Sequence, residues 1–242
     1  MKNLIVANWK MNPTSYKEAE DLILKISKGV EGMSSEVVIC PPFVWLTDFS
    51  HKDKSHISFG AQNVFYEDKG AFTGKISAPM LKDGGVEYVI IGHSEVRKLG
   101  ETDEIINKKI KKALEFGLKV IFCIGETAQE REEGKKNEVL EKQIKLGIDG
   151  IQNSEFGIQN SVVAYEPVWA IGTGNNCSPQ NTKDAIDFIK KLISEDTRVL
   201  YGGSVKSDNS SDYIKKSGAN GLLVGGASLD AEEFVKIVKS AE

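Results

Sequence analysis

The sequence predicts an α/β protein built as one (β/α)8 barrel. Its short apolar runs are hydrophobic throughout, as strands buried on both faces are. Segments with apolar residues at helical spacing separate these runs. Eight such units fit into 242 residues, within the roughly 200–250 that a single α/β barrel occupies. An open doubly wound sheet fits the same alternation, but the number of units favours closure. The chain is therefore read as a single domain over residues 1–242.

Leu4-Ile5-Val6-Ala7 is the first strand. Ser15 to Glu18 has the capping-box spacing. Ala19, Leu22, Ile23 and Ile26 follow as a helical face, and Gly29 is expected at the C-cap. Val37 to Cys40 is the second strand, stopped by Pro41 and Pro42. A polar loop around His51 to His56 leads to the third, Ile57 to Ala61, and Tyr88 to Ile91 is the fourth. Ile105, Ile106, Ile110, Ala113 and Leu114 make the next helix face, closed by Gly117. The fifth strand, Val120 to Ile124, precedes a long charged helix from about Asn137 to Gly147. A polar loop, Asn153 to Asn160, leads to the sixth strand, Val162 to Tyr165. Ala185, Ile186, Ile189, Leu192 and Ile193 give another helix face before the seventh strand, Val199 to Tyr201. A short helix ends near Gly218, Gly221 to Val224 is the eighth strand, and Asp230 caps a last helix carrying Phe234, Ile237 and Val238.

Composition narrows the function. Hydrophobic residues are 40% and charged residues 27%, an ordinary globular mixture. The net charge of −4 and the lack of a basic stripe argue against a nucleic-acid partner. No apolar run approaches the ~20 residues of a membrane span, and the apolar stretch at the N-terminus is too short for a signal peptide. Three cysteines fit a reducing compartment better than a disulfide framework, so a cytoplasmic location is expected. No pair of the three histidines has metal-ligand spacing.

In (β/α)8 barrels the chemistry sits at the C-terminal ends of the strands. Strand six ends at Glu166-Pro167, and Pro167 biases Glu166 towards extended backbone. An apolar knuckle, Val168 to Ile171, and then Gly172-Thr173-Gly174 follow. This is the pattern of a base with a hinged lid; alone it also reads as a buried strand and a glycine turn. Strand one delivers Asn8 and Lys10, two apart, which an extended segment points to one face. A Lys in a barrel mouth is costly to bury without a partner. Strand four delivers His93, and a helix opening at Ser94 would turn its positive end on the imidazole and keep it neutral. Strands seven and eight deliver Gly202-Gly203-Ser204 and Gly225-Gly226, where barrels of this kind bind phosphate through main-chain N–H groups. Singly, each feature has an ordinary structural reading. Cys40 and Cys123 are read as core, and Gln62, Asn63, Gly125 and Glu126 as support for the mouth.

Asn8-Trp9-Lys10-Met11-Asn12, Gly92-His93-Ser94-Glu95, Ala164 to Gly174, Tyr201 to Val205 and Val224 to Leu229 together resemble triosephosphate isomerases, in register over essentially the whole chain. The resemblance implies a TIM barrel that interconverts dihydroxyacetone phosphate and D-glyceraldehyde 3-phosphate without cofactor or metal. It implies Glu166 as base, His93 as neutral donor beside Asn8, and Lys10 as the cation. Gly172, Ser204, Gly225 and Gly226 would hold the phosphate. It further implies a homodimer through the loop around Gly70 to Lys75. The chain departs from the family pattern at Asn175-Asn176-Cys177 after the lid, at Val96 where an Arg is usual, and at Lys75 where a Glu is usual. Two other readings remain open here. Another phosphate-binding barrel enzyme would not need Lys10, His93 and Glu166 together. A non-catalytic binding protein on the same scaffold should have lost at least one of them.

Overall fold

The computed structural model describes residues 2–52, 56–151, 161–172 and 174–242. Eight parallel strands close into a barrel in sequence order, with β8 paired back onto β1. The strands are β1 Leu4–Asn8, β2 Glu36–Cys40, β3 Ser58–Ala61, β4 Tyr88–Ile91, β5 Lys119–Ile124, β6 Ser161–Tyr165, β7 Val199–Tyr201 and β8 Gly221–Val224. All eight expected strands are present. The expected polar loop Asn153 to Asn160 lies outside the described residues.

The helices between them are α1 Tyr16–Val30, α2 Phe43–Lys52, α3 Ala78–Asp83, α4 Ser94–Lys98 and α5 Asp103–Glu115. After β5 come α6 Ala128–Glu132, α7 Lys136–Gly147, α8 Pro179–Leu192, α9 Ser210–Lys215 and α10 Ala231–Ser240. Several caps are those the sequence implies. The Ser15 hydroxyl accepts from Glu18 N at 3.3 Å, and Asp230 Oδ1 accepts from Glu233 N at 3.1 Å.

Two expectations need correction. The stretch expected to be a polar loop up to His56 is helical as far as Lys52. The helical signal of α2 is weak because Val44 faces solvent while Leu46 and Phe49 are buried, so its apolar residues do not make one clean stripe. The charged helix expected from about Asn137 to Gly147 is α7, Lys136–Gly147, and a shorter helix that was not expected, α6, precedes it. Short α6 buries no residue, so it has no hydrophobic period; its signature is the capping box formed by Thr127 and Glu130. Gly29 does not cap α1. It lies within the helix, where a Cβ would sit 2.5 Å from Val235 Cγ2, so it lets α1 and α10 approach closely. The left-handed turn falls to Gly32, at φ 78°.

Two apolar layers follow from strand alternation. Ile5, Ala7 and Trp9 belong to the outer core between strands and helices. Leu4, Val6, Val38, Cys40, Ile90, Cys123, Ala164, Leu200 and Leu223 belong to the layer inside the barrel. Cys40 and Cys123 are thus core residues, as expected. Two residues beyond the last inner side chain of β1, β4, β5, β6, β7 and β8, the same phase reaches Asn8, Gly92, Gly125, Glu166, Gly202 and Gly225. Four of these six are glycine, so the packed interior gives way to open space at the C-terminal mouth. The residues of the loop from Glu67 to Lys75 are all exposed, with Gly70 at φ 140° and Gly74 at φ 81°.

Barrel closure gives a test. Gly221 sits at φ 151°, and a Cβ there would run into the Leu4 carbonyl of the neighbouring strand. Gly32 has open space around it. Gly221→Ala should destabilise the fold by about 2–4 kcal/mol, whereas Gly32→Ala should cost only the ~1–2 kcal/mol of a left-handed backbone. Urea unfolding midpoints of the two variants check this order.

Candidate active site

Glu166 is 2% exposed at the end of β6. Its N–H donates to Ile124 O at 2.7 Å, which fixes the residue against β5. Its Oε2 accepts from Ser94 N at 3.0 Å. Its Oε1 lies 3.1 Å from His93 Nε2 and has no hydrogen-bond partner among the described residues. A buried carboxylate oxygen without a hydrogen bond is expensive. It is also free to accept a proton from a molecule placed in the pocket. Burial pushes the Glu166 carboxyl above its ordinary range, against the pull of His93, the Ser94 N–H, Lys10 and Arg97.

His93 caps α4. Its Nδ1 accepts from Glu95 N at 3.2 Å, so the ring proton belongs on Nε2, towards the pocket. The start of α4 therefore meets His93 through a direct N–H bond. Arg97 braces the turn from below. Its Nε donates to Gly92 O at 2.7 Å, and its Nη1 pairs with Asp103 at 2.6 Å.

Asn8 and Lys10 both line the pocket, but not through strand alternation. Asn8 ends β1 on the inner face. Lys10 lies beyond the strand at φ 54°, the one non-glycine with positive φ among the described residues. Such a conformation costs of order 1–3 kcal/mol. It is held by Lys10 N donating to Asn8 Oδ1 at 3.1 Å and by Gln62 Nε2 donating to Lys10 O at 2.8 Å. Lys10 Nζ pairs with Glu95 Oε1 at 2.7 Å. Glu95 is the partner that a half-buried Lys demands. The sequence implies that demand but does not show that Glu95 meets it.

The glycine turns complete the wall. A Cβ on Gly202 would come within 3.0 Å of Glu166 Cγ, and one on Gly203 would overlap the Tyr201 hydroxyl. The N–H groups of Gly172, Gly203, Ser204 and Gly225 donate to no acceptor among the described residues. Unpaired main-chain N–H groups along one pocket wall are of the kind that can hold an anion. Gly226 opens a short 3-10 turn beside them. The pocket so enclosed has a volume of about 660 Å³. Among the described residues no group of His, Cys, Asp and Glu is arranged to hold a metal ion.

The knuckle Val168–Ala170 is a 3-10 turn, pinned through Trp169 and Ala170. Trp169 Nε1 donates to Glu126 Oε1 at 2.9 Å, and Ser204 Oγ donates to Ala170 O at 2.6 Å. Downstream, Cys177 N donates to the Tyr201 hydroxyl at 3.3 Å. Gly172 and Gly174 take φ 68° and 77°, while Thr173 lies outside the described residues. Glu126 is fully buried and also accepts from the Tyr165 hydroxyl, so the supporting role expected of it holds.

Fold and pocket define a class: a closed (β/α)8 barrel with a carboxylate, an imidazole and a main-chain anion cradle at its C-terminal mouth. The family model described as triosephosphate isomerase matches residues 3–241. A triosephosphate isomerase of Aquifex aeolicus is 48% identical over 99% of this chain and 100% of its own length. One of Caldanaerobacter subterraneus is 48% identical over 97% and 98%, and one of Dictyoglomus thermophilum 47% over 99% of both. The chain belongs to the triosephosphate isomerase family.

The raised Glu166 has a consequence for stability. Folded chain binds a proton at this carboxyl more readily than unfolded chain does, so stability falls as pH rises from the ordinary carboxylate range through the raised value. Glu166→Gln removes that loss and keeps an oxygen for Ser94 N. The variant should be the more stable protein at pH 7, and its advantage should vanish as pH falls below about 4. Thermal midpoints across that range decide it; a parent more stable at pH 7 would contradict it.

Proposed function

We propose that this chain, as a single barrel domain, is a triosephosphate isomerase. It interconverts dihydroxyacetone phosphate and D-glyceraldehyde 3-phosphate in glycolysis and gluconeogenesis, without cofactor or metal, in the cytoplasm. The observation that carries the reading is the buried, unpartnered Glu166 Oε1 facing His93 Nε2 across 3.1 Å.

The reaction moves one proton between adjacent carbons. Glu166 takes the proton from the carbon beside the carbonyl, and the electron pair of that C–H bond becomes the new carbon–carbon double bond. The carbonyl π pair passes to oxygen, giving an enediolate. His93 Nε2–H donates to the developing oxyanion, with Asn8 beside it, while Lys10 supplies positive charge. His93 Nε2–H gives its proton to that oxyanion and recovers one from the hydroxyl on the adjacent carbon. Glu166 then returns its proton to the neighbouring carbon, using the electron pair of the carbon–carbon double bond, as the second oxygen forms the new carbonyl. A carboxyl raised by burial is a better match to a carbon acid at neutral pH than an exposed one. The phosphate is held by the N–H groups of Gly172, Ser204, Gly225 and Gly226, so that remote binding energy orients the reacting carbons.

A coupled isomerase assay tests this reading. Glu166→Asp keeps the charge and withdraws the carboxylate by about one bond, a misplacement of ~1 Å that can cost on the order of 10²-fold. Turnover should fall by that order while KM changes by less than a few-fold. Turnover close to the parent's would remove Glu166 from the role.

The exposed loop around Gly70 to Lys75 supports a homodimer, since it leaves Phe72 41% exposed and Lys75 Nζ 5.7 Å over the Phe65 ring. Lys75 and Val96 are proposed to meet across that interface and to compensate each other. Lys75 opposite an Arg would be a like-charge contact, whereas Val96 gives the Lys stem an apolar surface. Val96→Arg alone should weaken the dimer and Lys75→Glu alone should gain little. The double variant should recover about 1 kcal/mol of coupling. Dimer dissociation of the four proteins at low and high salt measures it, and simple additivity would separate the two positions.

A further inference from the structure

The pocket extends past the Ser204 turn to an outer end that the proton transfer does not use. Asn176, Lys206, Asp208 and Asn209 line it, with Asp230 and Glu233 beyond. Three of these six are carboxylates. Glu233 is fixed in place by Ser207 N at 2.7 Å and the Ser207 hydroxyl at 3.0 Å, and Asp230 by the cap of α10. The chain as a whole carries −4. A phosphate dianion approaching this mouth therefore meets like charge before it reaches the N–H cradle.

Lys10 and Lys206 are the cations among the residues lining the pocket. Lys10 is already paired with Glu95 at 2.7 Å. Lys206 is exposed and makes no ion pair among the described residues. Its backbone is nonetheless rigidly placed. Lys206 N donates to Asn209 Oδ1 at 2.9 Å, and Lys206 O accepts from Asn209 N at 3.2 Å and Ser210 N at 2.9 Å. The same Asn209 donates through Nδ2 to Ser204 O at 3.2 Å. One side chain thus ties the root of a free cation to the turn that carries the anion cradle.

We infer that Lys206 is the residue that captures the substrate's phosphate group, drawing it past the acidic rim and into the cradle. The inference rests on the isomerase reading and deepens it. An exposed, unpaired ammonium on a flexible stem acts at a distance, through the field at the mouth, rather than in the transition state. Its effect belongs to encounter. Triosephosphate isomerase is itself a standard instance of an enzyme working near the diffusional ceiling, where encounter governs kcat/KM.

The test is kcat/KM for D-glyceraldehyde 3-phosphate against ionic strength, for the parent, Lys206→Gln and Lys206→Arg. At about 0.01 M salt, Lys206→Gln should lose about threefold to tenfold in kcat/KM. The loss should close as salt rises to about 1 M and the screening length falls from ~30 Å to ~3 Å. It should appear in kcat/KM and not in kcat. Lys206→Arg should follow the parent at every salt concentration. With D-glyceraldehyde, which lacks the phosphate, the parent and both variants should react alike. A loss independent of salt, a loss in kcat, an equal loss with D-glyceraldehyde, or no loss would each overturn the inference. A parent that does not isomerise the triose phosphates at all would instead bring down the reading on which the inference rests.

Discussion

Burial of one carboxylate at the mouth of a packed barrel is the constraint to which the surrounding structure answers. Glu166 is taken from water almost completely. One of its oxygens is held by a main-chain N–H, and the other is left without a hydrogen bond. An ionised group in that position is unstable unless its surroundings supply compensation. His93, Lys10, Arg97 and the Ser94 N–H supply part of it, and burial still wins. The excess is what makes the group receptive to a proton.

The barrel makes such a site affordable by keeping its parts on rigid elements. The inner phase of the strands is apolar until the last layer, where glycines replace side chains around Asn8 and Glu166. Those glycines leave the volume that the substrate occupies and bring main-chain N–H groups to its edge. The strained Lys10 backbone is stabilised by Asn8 and Gln62, both of them strand-end residues. The anion cradle is tied through Ser204 to the knuckle that follows Glu166. Glu166, His93, Lys10 and the glycine turns are therefore connected by short hydrogen-bonded links, the preorganisation that the proposed roles call for.

Strands were legible in the sequence because burial on both faces leaves unbroken apolar runs. Helices were legible where one face alone meets the barrel, as in α1, α5, α8 and α10. Three helices were not, and α3, with six residues, is too short to show a period. The stripe of α2 is blurred by exposed Val44, and α6 buries nothing, so only its capping box at Thr127 and Glu130 betrays it. The candidate site was legible residue by residue, because each group stands at a strand end. Its connections were less so. Lys10 reaches the pocket through a left-handed backbone that spacing does not reveal, and Glu95 is its partner only because α4 turns back over the mouth. The free Lys206 at the outer rim follows a glycine turn in a stretch that shows no periodicity at all.

The central claim is that Glu166 alone carries the proton between the two carbons. Incubating dihydroxyacetone phosphate with the protein in D₂O and following C1 by NMR tests it most directly. The parent should place one deuterium at C1, at one of its two positions only, and Glu166→Gln should place none above the uncatalysed rate. Exchange that persists in the folded Glu166→Gln protein, or that enters both C1 positions equally in the parent, would contradict the account.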